Sequence, residues 1–151
     1  MSNETFGMSV VMVVAGIGIP IMAALNSGLG VRLGNPVAAS SILLGMALMV
    51  SLAFTLSRPL PETSLFEATP LHYFMGGIFV AFYILSITWI APKIGIGNAI
   101  FFVLLGQIAA SALIDHFGWF GTPVSTLSVS RGLGIALMAA GVYLARKPLI
   151  L

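Results

Sequence analysis

Long stretches of this chain carry no charge, and that absence limits its fold more than any motif does. No Asp, Glu, Lys or Arg lies between Glu4 and Arg32, Arg32 and Arg58, Glu67 and Lys93, or Lys93 and Asp115. Each interval is longer than the roughly 20 residues that an α-helix, rising about 1.5 Å per residue, needs to cross ~30 Å of hydrocarbon. Only 7% of the residues are charged and 59% are hydrophobic, whereas a soluble domain carries roughly a quarter charged residues to face water. Six Lys and Arg and four Asp and Glu cannot coat a water-facing surface of this size. The outer surface therefore faces lipid, and the fold class expected is an all-α integral membrane protein.

Gly, Pro and small polar residues punctuate the apolar runs and set the expected spans at about 8–29, 37–56, 71–91, 98–114 and 126–145, in a single transmembrane domain. Between the first two, Gly34 suits a left-handed position after a helix, Asn35 an N-cap and Pro36 the first helical position. Thr69-Pro70 repeats the start signal for the third span, and Asn98 is a cap for the fourth. In the fifth, Arg131 lies near the start and is expected to snorkel toward the headgroups. The first run is too long for a signal-peptide core and follows Glu4 rather than a basic region, so it is read as a retained span.

Lys and Arg fall unequally on the two sides. Arg32, Lys93, Arg146 and Lys147 share one side, and Arg58 and Arg131 the other. The positive-inside rule then favours an outer N-terminus and an inner C-terminus. The surplus of two is small enough to be compatible with insertion in both orientations. Five is also an odd number: a second copy joined head to tail would lie inverted, and inverted pairs build many transporters with the substrate site between the halves. A five-span chain has the size of half such a machine.

Polar groups inside the spans need a partner or a task. Gln107, Ser111 and Asp115 recur every four residues on the fourth span, and Gln107 lies close to its middle. Gln107 can face substrate or hydrogen-bond a neighbouring helix, with equal weight; for Ser111 the interhelical role is the better one. Asp115 and His116 are proton-coupling candidates, although capping and anchoring a helix end is the favoured role. No carboxylate occupies a span centre, which argues against a buried Glu for which proton and cation compete. Asn26, with Pro20 nearby, and Tyr83 on the third span complete the candidate substrate wall. Pro20, Gly76 and Gly77 are candidate hinges. Gly134, Ala136, Ala140 and Gly141 leave shallow places on the fifth span for a dimer contact.

Other classes are poorly supplied. There is no cysteine, and two histidines are too few for a metal cluster. No Ser–His–Asp set appears, and Gly28-Leu29-Gly30 lacks the rest of a nucleotide-binding fingerprint. Neither catalysis, a cofactor, a metal nor a nucleic-acid partner is expected.

The stretch from Pro20 to Pro36, P-I-M-A-A-L-N-S-G-L-G-V-R-L-G-N-P, resembles the first-span signature of the YdcZ-type bacterial membrane proteins of the drug/metabolite transporter superfamily. Pro92-Lys93-Ile94-Gly95, Gly106-Gln107, Asp115-His116-Phe117-Gly118 with Gly121, and Arg131 with Gly134 agree in order and spacing. Many relatives have Gln where this chain has Met22, which implies a less polar pocket or a different ligand. Lys93 stands in place of a more usual Arg. The resemblance implies a five-helix half-transporter of the bacterial inner membrane, acting as an antiparallel pair with itself or a similar chain. The function expected is export of a small metabolite or amphipathic compound. The rival is a non-transporting subunit that stabilises or regulates a larger membrane assembly.

Overall fold

The computed structural model describes residues 3–145, and within them the chain is helical with no strand. Six α-helices follow in order: α1 (Asn3–Arg32), α2 (Pro36–Leu56), the short α3 (Thr63–Ala68), α4 (Gly76–Ile94), α5 (Ile96–Phe117) and α6 (Val129–Ala145). A 3₁₀ turn, Leu71–Met75, runs directly into α4. Four segments are long and apolar enough to cross a membrane: Glu4–Arg32, Pro36–Leu56, Leu71–Ile94 and Ile96–Phe117. The fifth apolar helix, α6, is shorter at 17 residues. Arg146 and Lys147, half of the more basic side, lie outside the described residues.

The chain divides into two compact units, Met1–Lys93 and Ile94–Leu151. In the first, the turn between α1 and α2 forms as its residues dictate. Gly34 is left-handed at φ 59°, and the Asn35 side chain accepts the Ala38 N–H at 3.0 Å with Pro36 opening the helix. α1 runs through Pro20 without interruption, and α4 likewise continues through Pro92 to Ile94. Between the second and third spans lies α3, and Phe66 of that helix stacks on Phe74 with ring centroids 6.5 Å apart.

Packing in this unit is confined to one end. The buried residues are Ala23, Asn26, Ser27 and Gly30 of α1, Ala39 and Ser40 of α2, and Ile84, Ile87, Thr88 and Ala91 of α4. On both α1 and α4 the spacing is i, i+3, i+4, i+7, one face of a helix. The residues are mostly small or hydroxyl-bearing, as suits helices that gain nothing from exchanging lipid for leucine and must approach closely. Gly30 marks a point of close approach: a Cβ there would lie 3.2 Å from Thr88 Cγ2 and 3.3 Å from Pro36 Cα. Away from this end, Glu4–Ile19, Met46–Leu56 and Gly76–Val80 are exposed throughout.

In the second unit, Gly95 at φ 86° breaks the chain before α5. The cap expected from Asn98 is not made: α5 begins at Ile96, and the Asn98 amide instead donates to the Ile94 carbonyl at 2.9 Å. α5 ends on left-handed Gly118, whose N–H bonds the Ile114 carbonyl. α6 begins three residues later than its apolar pattern suggests, because Ser128 caps it by accepting the Arg131 N–H at 3.2 Å.

Candidate functional site

The sharpest polar feature of the first unit lies in the α1–α4 seam. Asn26 donates through Nδ2 to Thr88 Oγ1 at 2.5 Å. Thr88 passes its own proton to the Ile84 carbonyl at 2.6 Å. Asn26 is 4% exposed and Thr88 1%, so this is a desolvated bond tying two helices 62 residues apart in sequence. Two buried oxygens in this unit have no partner among the described residues: Ser27 Oγ and Tyr83 Oη. Ser27 follows Asn26 on α1, and Tyr83 borders the buried face of α4, one turn before Ile87.

The opposite side of α1 carries a different surface. At about 100° per residue, Ala24, Leu25, Gly28, Leu29 and Arg32 point away from the seam. They line a groove with a volume of about 390 Å³. Arg32 closes it at the helix end, on the side where Lys93 also sits. Lys93 holds its ammonium 3.6 Å over the Trp89 ring one turn earlier, which suits an aromatic and a cation at a membrane interface.

The second unit holds the other expected residues, and they divide. Gln107 is exposed and makes no hydrogen bond among the described residues. Ser111 donates to the Ile108 carbonyl of its own helix at 3.0 Å and so needs nothing else. Asp115 faces Arg131, Oδ2 to Nη2 at 2.5 Å. Arg131 also donates through Nη1 to the carbonyl and hydroxyl of Ser125, at 3.2 and 3.1 Å. The Asp115 carbonyl accepts the Ser125 N–H at 2.8 Å. His116 Nδ1 accepts the Leu127 N–H at 3.0 Å. Arg131 is thus engaged with Asp115 and Ser125 at the start of α6.

The candidate hinges and contacts can be placed. Gly76 and Gly77 stand where the 3₁₀ turn gives way to α-helix, with open space where each would carry a Cβ. Gly134, Ala136, Ala140 and Gly141 lie on α6 with little or no cover. They do not form one face: helix geometry puts Gly134 and Gly141 on one side of α6 and Ala136 and Ala140 nearly opposite. Among the described residues no group of three or more His, Asp or Glu could hold a metal. Thr88, Ser27 and Arg131 are not among the site residues expected from sequence. The signal for the first two is present in the matching i, i+3, i+4, i+7 patterns of α1 and α4.

No curated protein and no solved structure matches this chain. Residues 7–144, however, match the family described as "Putative inner membrane exporter, YdcZ". With its four span-length apolar helices, the chain is a multi-pass inner-membrane protein. The match covers nearly every described residue, and the protein belongs to the YdcZ family of DMT-type transporters.

Proposed function

We propose that this chain is one half of an exporter, a five-span protein that pairs with an inverted copy and moves a small metabolite or amphipathic compound by alternating access. The observation that carries this reading is Gln107. An unpartnered amide in the middle of a span costs roughly 2–7 kcal/mol if it faces hydrocarbon alone. Gln107 has no partner among the described residues, so substrate or a second chain is the natural source of one. Asn26 and Tyr83 are the companion wall residues, and Ser111 is a weaker one because its hydroxyl is already satisfied.

Other features fit the same scheme. α6 is the fifth span, and Gly134 with Gly141 gives it a bare face for the subunit contact. Gly76 and Gly77, at a change of helix type, are the hinge, with Pro20 on α1 as a second point of bending. Arg32 and Lys93 mark the inner side, which puts the N-terminus outside and the C-terminus inside. The bonds of Asp115 and His116 favour holding the α5–α6 loop over carrying protons.

The test is Gln107→Leu in proteoliposomes. A transporter keeps its fold and loses substrate flux. A subunit of the non-transporting kind loses little or gains stability, and unchanged flux in this variant would remove Gln107 from the site. A C-terminal topology reporter is expected inside, or on both sides for dual insertion; a strictly outside signal would contradict the charge count.

A further inference from the structure

We propose that Ser27, with Asn26 and Thr88, forms a hydrogen-bonding subsite for an uncharged hydroxyl or amide group of the substrate; this rests on the exporter reading above. The first observation is the behaviour of Ser27 itself. Six other helical hydroxyls relieve themselves on a carbonyl three or four residues back, those of Ser40, Ser41, Ser51, Thr55, Thr88 and Ser111. That outlet is open to any serine in a helix. Ser27 does not take it, although it is 4% exposed and its Oγ has no partner. A buried hydroxyl without a partner is a net cost to the fold, and alanine would remove that cost while keeping the helix surface small.

The second observation is the company Ser27 keeps. Asn26 beside it has an amide with two donors and two acceptor positions, and its bond to Thr88 uses one of these. Three neutral polar side chains therefore lie on the buried faces of α1 and α4, which are otherwise built of Ala, Gly and Ile. No carboxylate lies on α2 or α4, and Glu4 of α1 is at the far end of that helix. The charges at the same end of α1 and α4 as the seam are Arg32 and Lys93, both positive. A cation has nothing here to neutralise it, whereas a hydroxyl or amide finds both donors and acceptors.

The third is how the seam is closed. Contacts among α1, α2 and α4 are confined to this end, and Glu4–Ile19, Met46–Leu56 and Gly76–Val80 are already exposed. Parting α1 from α4 at this level breaks one side-chain hydrogen bond between them, Asn26 to Thr88. It also turns Asn26, Ser27 and Thr88 into a lining. The substrate's polar group then replaces the bond that was lost and supplies Ser27 with the partner it lacks.

The experiment uses the full chain purified into liposomes and loaded in turn with radiolabelled xylitol, nicotinamide, uridine and, as the cation, tetraethylammonium. Protein-dependent efflux of at least one uncharged probe is expected, with none of tetraethylammonium. Ser27→Ala lowers that efflux roughly three- to tenfold, the worth of one neutral hydrogen bond, while its melting temperature stays equal to or above wild type. Efflux of tetraethylammonium alone, or uncharged-probe efflux unchanged in Ser27→Ala, overturns the subsite and leaves the exporter reading standing. No efflux of any probe above empty liposomes overturns the subsite and counts against the exporter reading as well. A fall in both melting temperature and efflux overturns it too, since Ser27 would then be a structural residue.

Discussion

Asp115 in the last turn of α5 and Arg131 in the first turn of α6 form an ion pair, Oδ2 to Nη2 at 2.5 Å, that closes the loop joining the two helices. Each residue is at the unfavourable end of its own helix. A carboxylate among the last carbonyls of α5 and a guanidinium among the first N–H groups of α6 both oppose the helix dipole. Their pairing offsets this, and Arg131 also grips Ser125 within the loop, which ties the loop's path to the pair. Both side chains are about one-third exposed, so solvent screens the pair. We predict that Asp115→Asn or Arg131→Gln alone lowers stability by about 1 kcal/mol, and that the double variant costs less than the sum. Thermal unfolding of the four proteins in detergent measures the coupling, and strict additivity would show the pair to be idle.

The Asn26–Thr88 bond should behave differently, because it is desolvated. Thr88→Val keeps the shape of the side chain, deletes the acceptor of the Asn26 amide, and leaves the Ile84 carbonyl without its second donor. A double-mutant cycle with Asn26→Ala is expected to return a coupling of about 0.6–1.7 kcal/mol, the range for hydrogen bonds between membrane helices. A coupling near zero would mean the two helices are held by packing alone.

Gly30 tests that packing directly. A Cβ would press on Thr88 Cγ2 at 3.2 Å, which is the end of a side chain, but also on Pro36 Cα at 3.3 Å, which is backbone. Gly30→Ala should therefore cost about 1 kcal/mol, and Gly30→Leu about 3 kcal/mol or the loss of the seam altogether, as overpacking does. By contrast Gly28, on the groove side with nothing within 4 Å, should accept alanine without loss. Melting temperatures of the three variants check the contrast.

Gly118 carries two separable constraints. Its φ of 63° is left-handed, and a Cβ would fall 2.7 Å from Val124 Cγ2. Gly118→Ala is predicted to destabilise by about 2 kcal/mol, the left-handed conformation alone accounting for roughly 1–2 kcal/mol. Adding Val124→Ala should recover the steric part and leave the backbone part. Full recovery in the double variant would show that conformation contributes nothing.

Local features are legible in the sequence and long-range ones are less so. The Gly34-Asn35-Pro36 turn can be read because each residue acts on its own backbone. The apolar spans can be read because hydrocarbon imposes length and excludes charge. The α5–α6 ion pair is harder, although Asp115 and Arg131 flank one loop on one side of the membrane. Arg131 reads as a residue able to reach the headgroups, and its acidic partner lies 16 residues away in sequence. The polar stripe of α5 reads as one surface, but its three members have three fates: Gln107 without a partner among the described residues, Ser111 bonded to its own helix, Asp115 in an ion pair. Spacing fixes which way a side chain points, and says nothing about whether its own helix carbonyls will take its proton. Asn98 shows the same limit, since a capping residue two positions inside a helix bonds backward instead.

The length of α1 has a consequence for where the protein can work. Thirty residues make a rod of about 45 Å, which matches a bilayer measured from headgroup to headgroup rather than its ~30 Å core. With Glu4 and Arg32 both excluded from the core, the helix must lean or lift its first turns into the interface, and the lean it adopts varies with acyl-chain length. Because the seam residues sit within two or three turns of Arg32, a thinner or thicker bilayer is expected to change the angle at which α1 meets α4. Membrane thickness is thereby expected to act as a mechanical input to the seam, through a lever that extends well beyond the residues it moves.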